Sequence, residues 1–239
     1  MSNEPLDEKF DVIIIGAGIA GSSCALLLAR AGMNVLLLER SLQAGEKNMS
    51  GGRLYSYSLS RLIPDFATSA PLERLITQER ISLLSDESAV TLGYRHPPQA
   101  PHTASYSVLR SRFDPWLLAQ AEAAGAQCLF GVNVDALIDD RSGCICGVKM
   151  GEESLYAHWV VVAEGANTLL AEKHQLVSKP SPHAMAVGVK EILALPEPTI
   201  EDRFTLLPQQ GCAWMFAGAC TQGKVGGGFI YTNRSSLSL

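Results

Sequence analysis

Three glycines in the spacing Gly16-x-Gly18-x-x-Gly21, followed by Glu39 at the end of the next apolar run, are the residues whose types and spacing suit a defined chemistry. A glycine at the first position permits a tight turn out of a strand. The second lets a diphosphate lie against bare backbone, and the third lets the next helix pack close to the strand. The run Gly16-Ala17-Gly18-Ile19-Ala20-Gly21 would therefore turn unpaired N–H groups and the positive end of a helix dipole toward a dinucleotide diphosphate. Glu39 can accept hydrogen bonds from adenosine ribose hydroxyls, and its charge would repel a ribose phosphate, which disfavours NADP at this turn. The competing reading, a glycine turn that binds nothing, lacks an explanation for the strand, helix and carboxylate around it. No catalytic triad, metal site or paired-carboxylate arrangement is legible. Cys144-Ile-Cys146 follows the turn-like Arg141-Ser142-Gly143 and reads as a hairpin strand rather than a metal site.

The elements that must position these residues follow without a gap. Residues 10–15 are an almost continuously apolar, β-branched run, as expected of a parallel strand buried on both faces. Residues 22–31 predict a helix closed by Gly32, and residues 34–38 a second buried strand, completing a βαβ unit. A polar, Gly-rich loop over 41–53 precedes a predicted helix over 54–63 that stops at Pro64. Residues 80–84 and 89–94 predict an antiparallel hairpin. Asp114 reads as an N-cap with Pro115 at the first helical position, which predicts a helix over 116–124. Strands are expected over 128–137, 145–150 and 158–163, the last a third parallel strand. Short strands over 186–192, 211–219 and 227–232 predict an antiparallel sheet.

Composition sets outer bounds. The 239 residues carry 19 Lys plus Arg against 24 Asp plus Glu, a net charge of −5 that argues against a nucleic-acid binder. With 47% apolar and 18% charged residues, the chain can build a packed core rather than remain disordered. Its apolar runs fall far short of the roughly 20 residues needed to span a bilayer. A polar, acidic start, the reverse of a secretory signal, favours the cytoplasm, where six cysteines stay as thiols.

Four further motifs bear on the identity of the dinucleotide. They are Gly45-Glu-Lys-Asn-Met-Ser-Gly-Gly-Arg53, Val108-Leu-Arg-Ser-Arg-Phe-Asp-Pro-Trp-Leu117, Ala163-Glu-Gly-Ala-Asn167 and Gly226-Gly-Gly-Phe-Ile-Tyr231. In this order, over essentially the whole chain, they resemble the FAD-dependent FixC-type proteins of the electron-transfer flavoprotein–quinone oxidoreductase family. The resemblance implies an α/β fold: a Rossmann-like FAD-binding domain of the glutathione-reductase and aromatic-hydroxylase type, discontinuous over 1–80 and 103–178. An antiparallel β domain that caps the substrate would fill 81–102 and 179–239. It further implies that Gly16, Ala17, Gly18, Ile19, Ala20 and Gly21 hold the FAD diphosphate, and Glu39 with Arg40 the adenosine ribose. Lys47, Ser50, Gly51 and Gly52 would lie near the ribityl chain and flavin ring, and Arg110 would reach back toward the cofactor. Val134 would offer backbone groups to the adenine. Glu164 and Gly165 would close over the diphosphate, where the family commonly shows Asp-Gly.

By residue type alone, Lys47 and Arg53 read as solvated, and Trp214, Phe216, Phe229 and Tyr231 as core of the second domain rather than a quinone-docking surface; Arg112 stays open between a surface role and one toward the cofactor. The implied activity passes electrons from an electron-transfer flavoprotein to a ferredoxin-like or quinone acceptor, with a peripheral contact at the inner face of a membrane. Two alternatives stay open: a reductase or hydroxylase of a small or isoprenoid substrate, and a truncated chain without enzymatic role. Family members are longer and return to the FAD domain through a Gly-Asp segment. No Gly-Asp dipeptide occurs here, and an amino-terminal portion whose last strand lacks a partner is expected.

Overall fold

Strand β1 (Phe10–Ile15) buries its last four residues, because its β-branched side chains meet neighbours on both faces. Helix α1 (Ile19–Arg30) follows and buries Gly21, Ser22, Ala25, Leu26 and Ala29, one stripe at three- and four-residue spacing. It ends as the sequence predicts: Gly32 has φ +81° and donates its N–H to the Ala29 carbonyl, while the Met33 N–H reaches Leu28. Strand β2 (Val35–Glu39) then pairs in parallel with β1, residue for residue from Val12 opposite Val35.

The computed structural model describes residues 9–48 and 51–239. Beyond β2 the chain runs through β3 (Gly51–Tyr55), α2 (Ser56–Leu62), α3 (Phe66–Ser69), β4 (Leu72–Leu84), β5 (Ala89–Arg95) and β6 (Ser105–Leu109). Helix α4 (Arg110–Ala123) leads into β7 (Gln127–Phe130), β8 (Ala136–Asp139), β9 (Ile145–Met150), β10 (Glu153–Val162) and α5 (Leu169–Lys173). The last elements are β11 (Ile192–Ala194), α6 (Glu197–Phe204), β12 (Gln210–Gly218), β13 (Gly228–Thr232) and β14 (Ser236–Ser238).

Two compact units result, one from the residues up to Lys47 with Asp114–Val187, the other from Asn48–Phe113 with Gly188–Leu239. The first holds a six-stranded sheet in the order β7-β2-β1-β10-β9-β8. Strand β10 serves two partners in succession, antiparallel to β9 over 153–156 and parallel to β1 over 157–162. Its core gathers Ile13, Ile15, Leu36, Leu38, Leu137, Val148, Ala157 and Leu170. The second unit holds an eight-stranded sheet in the order β11-β14-β13-β12-β4-β6-β3, with β5 paired to β4. Helix α6 covers one face of it through Ile200 and Phe204, against Cys212, Trp214 and Ile230.

This arrangement departs from the sequence reading at four points. Residues 48–80 and 103–113, expected in the FAD domain, belong to the second unit, because β3 and β6 pair with each other and β6 with β4. The second sheet is mixed rather than antiparallel, since β12 lies parallel to β4 from Gln210 opposite Leu75 to Gly218 opposite Leu84. Helix α4 starts at Arg110, so Asp114 is not its N-cap and Pro115 lies inside it. The reason is its apolar stripe: Phe113, Leu117, Leu118 and Ala121 are all buried, and the stripe starts before the proline. Strand β14 lies between β11 and β13, so the expected unpartnered last strand is paired on both sides.

Candidate functional site

The turn between β1 and α1 is fixed from three directions. The Gly16 N–H donates to the Leu38 carbonyl of β2 at 2.8 Å, and the Ala163 N–H after β10 donates to Ile15 at 2.8 Å. Gly16 has φ +105°, and a Cβ there would come within 2.5 Å of the Ala163 carbonyl oxygen. A Cβ at Gly21 would fall onto the Gly16 carbonyl oxygen. Both glycines are thus required by packing of the apoprotein, as the spacing predicts. Gly18 differs, because a Cβ on it meets no atom within 4 Å. It is the N-cap of α1, with extended backbone, no side-chain cap and no acidic residue in the first turn. Helix geometry leaves the first-turn N–H groups without intrahelical acceptors, and the exposed Ile19 and Ala20 flank that open side.

Glu39 ties the end of β2 to this turn. Its Oε2 accepts the Ala17 N–H at 2.8 Å and its Oε1 the Ser41 N–H at 2.8 Å. A carboxylate has about four lone-pair sites, so two remain for vicinal hydroxyls. The Ser22 hydroxyl donates to the Ala17 carbonyl at 3.2 Å and holds the next peptide of the turn. Gly131 and Val132 donate their N–H groups to the backbone carbonyls of Ser41 and Glu39, both at 3.0 Å, while Val134, two residues on, packs against the core. Sequence reasoning missed Ser22, Ser41 and Ala163; a small hydroxyl residue directly after the third glycine was the one available signal. Nearby Cys128 is no nucleophile, since burial, aided by Glu122 and Glu39, pushes its thiol up to about 12.

The other expected residues fall in varied settings. Arg40 and Lys47 are exposed on the loop after β2, and Ser50 lies outside the described residues. Gly51 and Gly52 open β3, in the second unit. A Cβ at Gly51 would collide with the Ser238 hydroxyl of β14, so this glycine is demanded by the sheet itself, whereas Gly52 faces open space. Arg110 is the first residue of α4 and half-buried. Gly165 has φ +79°. The carboxylate of Glu164, expected to close over the diphosphate with Gly165, accepts the N–H groups of Leu170 at 3.0 Å and Ala171 at 2.9 Å, capping α5. Of the expected set, the structure therefore gathers Gly16, Ala17, Gly18, Gly21 and Glu39 into one built constellation. Open space at Gly18, free first-turn donors and spare carboxylate acceptors fit the adenosine diphosphate end of FAD.

Comparisons with known proteins agree with this geometry. Residues 11–111 match the family described as DAO, FAD dependent oxidoreductase. The chain is 51% identical, over 98% of its length, to a protein of Escherichia coli K12 described as a probable electron transfer flavoprotein-quinone oxidoreductase, YdiS. It is 50% identical over 98% of its length to Protein FixC of the same organism. It covers 54% of each, so it spans about half the length of the curated relatives it matches. Among solved structures, an aklavinone-11 hydroxylase in a ternary complex with FAD and aklavinone superposes with a TM-score of 0.67 at 20% identity. That match covers 98% of this chain and 46% of the hydroxylase, a likeness of fold.

Proposed function

We propose that this chain, which matches the FAD dependent oxidoreductase family over residues 11–111 and is about half identical to FixC and to a probable electron transfer flavoprotein-quinone oxidoreductase, forms the cofactor-holding part of such an enzyme. The whole protein would take electrons from a reduced electron-transfer flavoprotein and deliver them to a quinone or a ferredoxin-like acceptor. The observation that carries the reading is the Gly16–Gly21 turn locked to Glu39 through the Ala17 N–H.

FAD, when bound, supplies the electron chemistry through its flavin ring. The chain's own residues bind and orient. The first-turn N–H groups of α1 receive the diphosphate, Glu39 receives the ribose hydroxyls, and Arg40 and Val134 border the adenosine. Lys47, Ser50, Gly51, Gly52 and Arg110 are assigned to the ribityl and ring side. Gly165 offers backbone to the diphosphate, while Glu164 shapes that loop through α5. A protein whose part is binding and redox tuning needs no acid, base or nucleophile of its own. Among the described residues, no helix is long and apolar enough to cross a membrane.

The test is a visible absorption spectrum of the purified chain after incubation with FAD and desalting, with Glu39→Ala and Gly18→Val alongside. Retained flavin that both substitutions weaken at least tenfold supports the reading. Flavin retained equally by all three proteins overturns the assignment of this turn. The acceptor half is tested separately, by reoxidation of the dithionite-reduced flavoprotein with a benzoquinone.

A further inference from the structure

A cavity of about 590 Å³ opens between β4 and β5 on one side and the C-terminal end of α6 on the other, wholly within the second unit. A volume in that range suits a small molecule. None of the residues assigned to FAD borders it. Its helix wall is set by a strained cap. Thr205 follows α6 with φ 56°, while the Leu206 N–H returns to the Glu201 carbonyl at 2.8 Å. Gln209, at the far end of the same loop, has φ 63°. Left-handed backbone is strained for a β-branched residue, and strain of this kind gathers where ligands are held.

The two walls differ in chemistry. On the strand wall, Arg95 donates from Nη2 to the Thr205 carbonyl at 3.2 Å, which leaves the rest of its donor fork for a ligand. Gln210 accepts the Thr77 hydroxyl on Oε1 at 3.0 Å and keeps its side-chain NH2 for another acceptor. On the helix wall, Glu201 Oε1 accepts the Arg74 Nη1–H at 3.1 Å and the Gln209 N–H at 3.2 Å, and Oε2 is spare. Arg74 is shared by Glu197 and Glu201, so it offsets one of the two. With Asp202 on the same wall, and the negative end of the α6 dipole behind it, this side stays net negative. Among the described residues no ion pair joins Arg95 to Asp202, although both line the cavity. Leu207, 66% exposed, adds an apolar surface together with Pro97 and Pro98, and His96 Nδ1 donates to the Pro97 carbonyl at 3.1 Å and holds that rim.

We propose that this cavity binds a short peptide with both ends free, of dipeptide size. Arg95 and the Gln210 amide take its carboxylate, Asp202 and the spare oxygen of Glu201 take its ammonium, and an aliphatic side chain lies on Leu207 and the prolines. A guanidinium fork matches a carboxylate where a point charge would not. A ligand with one charge alone would leave the opposite wall without a partner, so an amphoteric molecule suits the cavity better than a simple anion or amine. Its two ends would tie α6 to β5.

The test is a titration of the purified, isotope-labelled chain with glycyl-leucine, followed through amide chemical shifts. N-acetylglycyl-leucine, glycyl-leucinamide and sodium acetate are the comparison probes. Shifts should concentrate at residues 95, 96 and 201–207, and each capped peptide should bind about fivefold more weakly than glycyl-leucine. Arg95→Met should weaken glycyl-leucine about fivefold and glycyl-leucinamide less than twofold, with Arg95→Lys between parent and Arg95→Met. Asp202→Asn should weaken glycyl-leucine and spare the acetylated peptide. Near-UV circular dichroism confirms that each variant is folded. An absence of shifts at the solubility limit of glycyl-leucine overturns the proposal, as does equal binding of all three peptides. Binding that neither Arg95→Met nor Asp202→Asn weakens places the peptide elsewhere and overturns it too. A response to acetate as strong as that to glycyl-leucine reduces the cavity to a carboxylate site and overturns the two-ended ligand.

Discussion

At the scale of single residues, the three glycines of the turn separate what the fold needs from what a ligand needs. Gly16→Ala places a methyl against the Ala163 carbonyl on a backbone with φ +105°, so the apoprotein should lose about 2 kcal/mol or more in urea unfolding. Gly18→Ala enters open space on extended backbone, so it should cost no more than about 1 kcal/mol while weakening FAD retention. If both variants were equally unstable, Gly18 would be a structural glycine and the ligand argument would fail. The same scale carries a pH dependence. The hydrogen bond from Arg53 holds the Glu79 carboxyl below its ordinary value of 4.5, with burial opposing. A group with a depressed folded pKa stabilises above its unfolded value, and that contribution disappears as pH falls through the folded one. Unfolding midpoints should therefore decline below about pH 4.5, less steeply in Glu79→Gln; because Glu79 is 39% exposed, solvent screening keeps the difference small. The glycines were legible because their spacing is local, although the carbonyl that excludes a side chain at Gly16 belongs to Ala163. The Arg53–Glu79 pair was not, since its partners stand 26 residues apart on strands whose register no pattern announces.

At the scale of elements, burial overrode local punctuation. Strand β4 starts eight residues before the predicted run, and its polar residues Glu73, Arg74, Thr77 and Gln78 are all buried. Arg74 is tolerated there because Glu197, Glu201 and the carbonyls of Gln210, Asn233 and Arg234 accept its N–H groups. No residue near Arg74 in sequence foretells those acceptors. Helix α5 shows the converse: the motif at Glu164 was visible, but its partner was not. Its carboxylate accepts two N–H groups six and seven residues ahead, which is what a cap does for a short helix. Glu164→Ala should destabilise the first unit by about 1–2 kcal/mol and speed amide exchange at Leu170 and Ala171. Flavin binding should change much less than in Glu39→Ala. A loss of flavin as large as that of Glu39→Ala, without faster exchange in α5, would restore the cofactor role first expected for Glu164.

For the whole molecule, the division into units makes a thermodynamic statement about the cofactor. Gly16 to Gly21, Glu39, Arg40 and Val134 all belong to the first unit, whereas Gly51, Gly52 and Arg110 belong to the second. The adenosine diphosphate half of FAD should then bind without help from the second unit. A ligand that binds only the folded state stabilises it by RT ln(1 + [L]/Kd), about 2.7 kcal/mol at a hundredfold excess over Kd. ADP at saturation should accordingly protect amides over 12–21 and 35–41 from exchange, and leave those of β4, β12 and β13 unchanged. The βαβ unit that makes ADP binding possible was readable from residues 10–39, because the pairing of β1 with β2, the packing of α1 and the Glu39 bond to Ala17 all lie within that stretch. The partition was hidden, because it depends on β3 and β6 joining a sheet completed by residues 188–239. If ADP protected no amide of the first unit while FAD did, the turn would not be an autonomous nucleotide site.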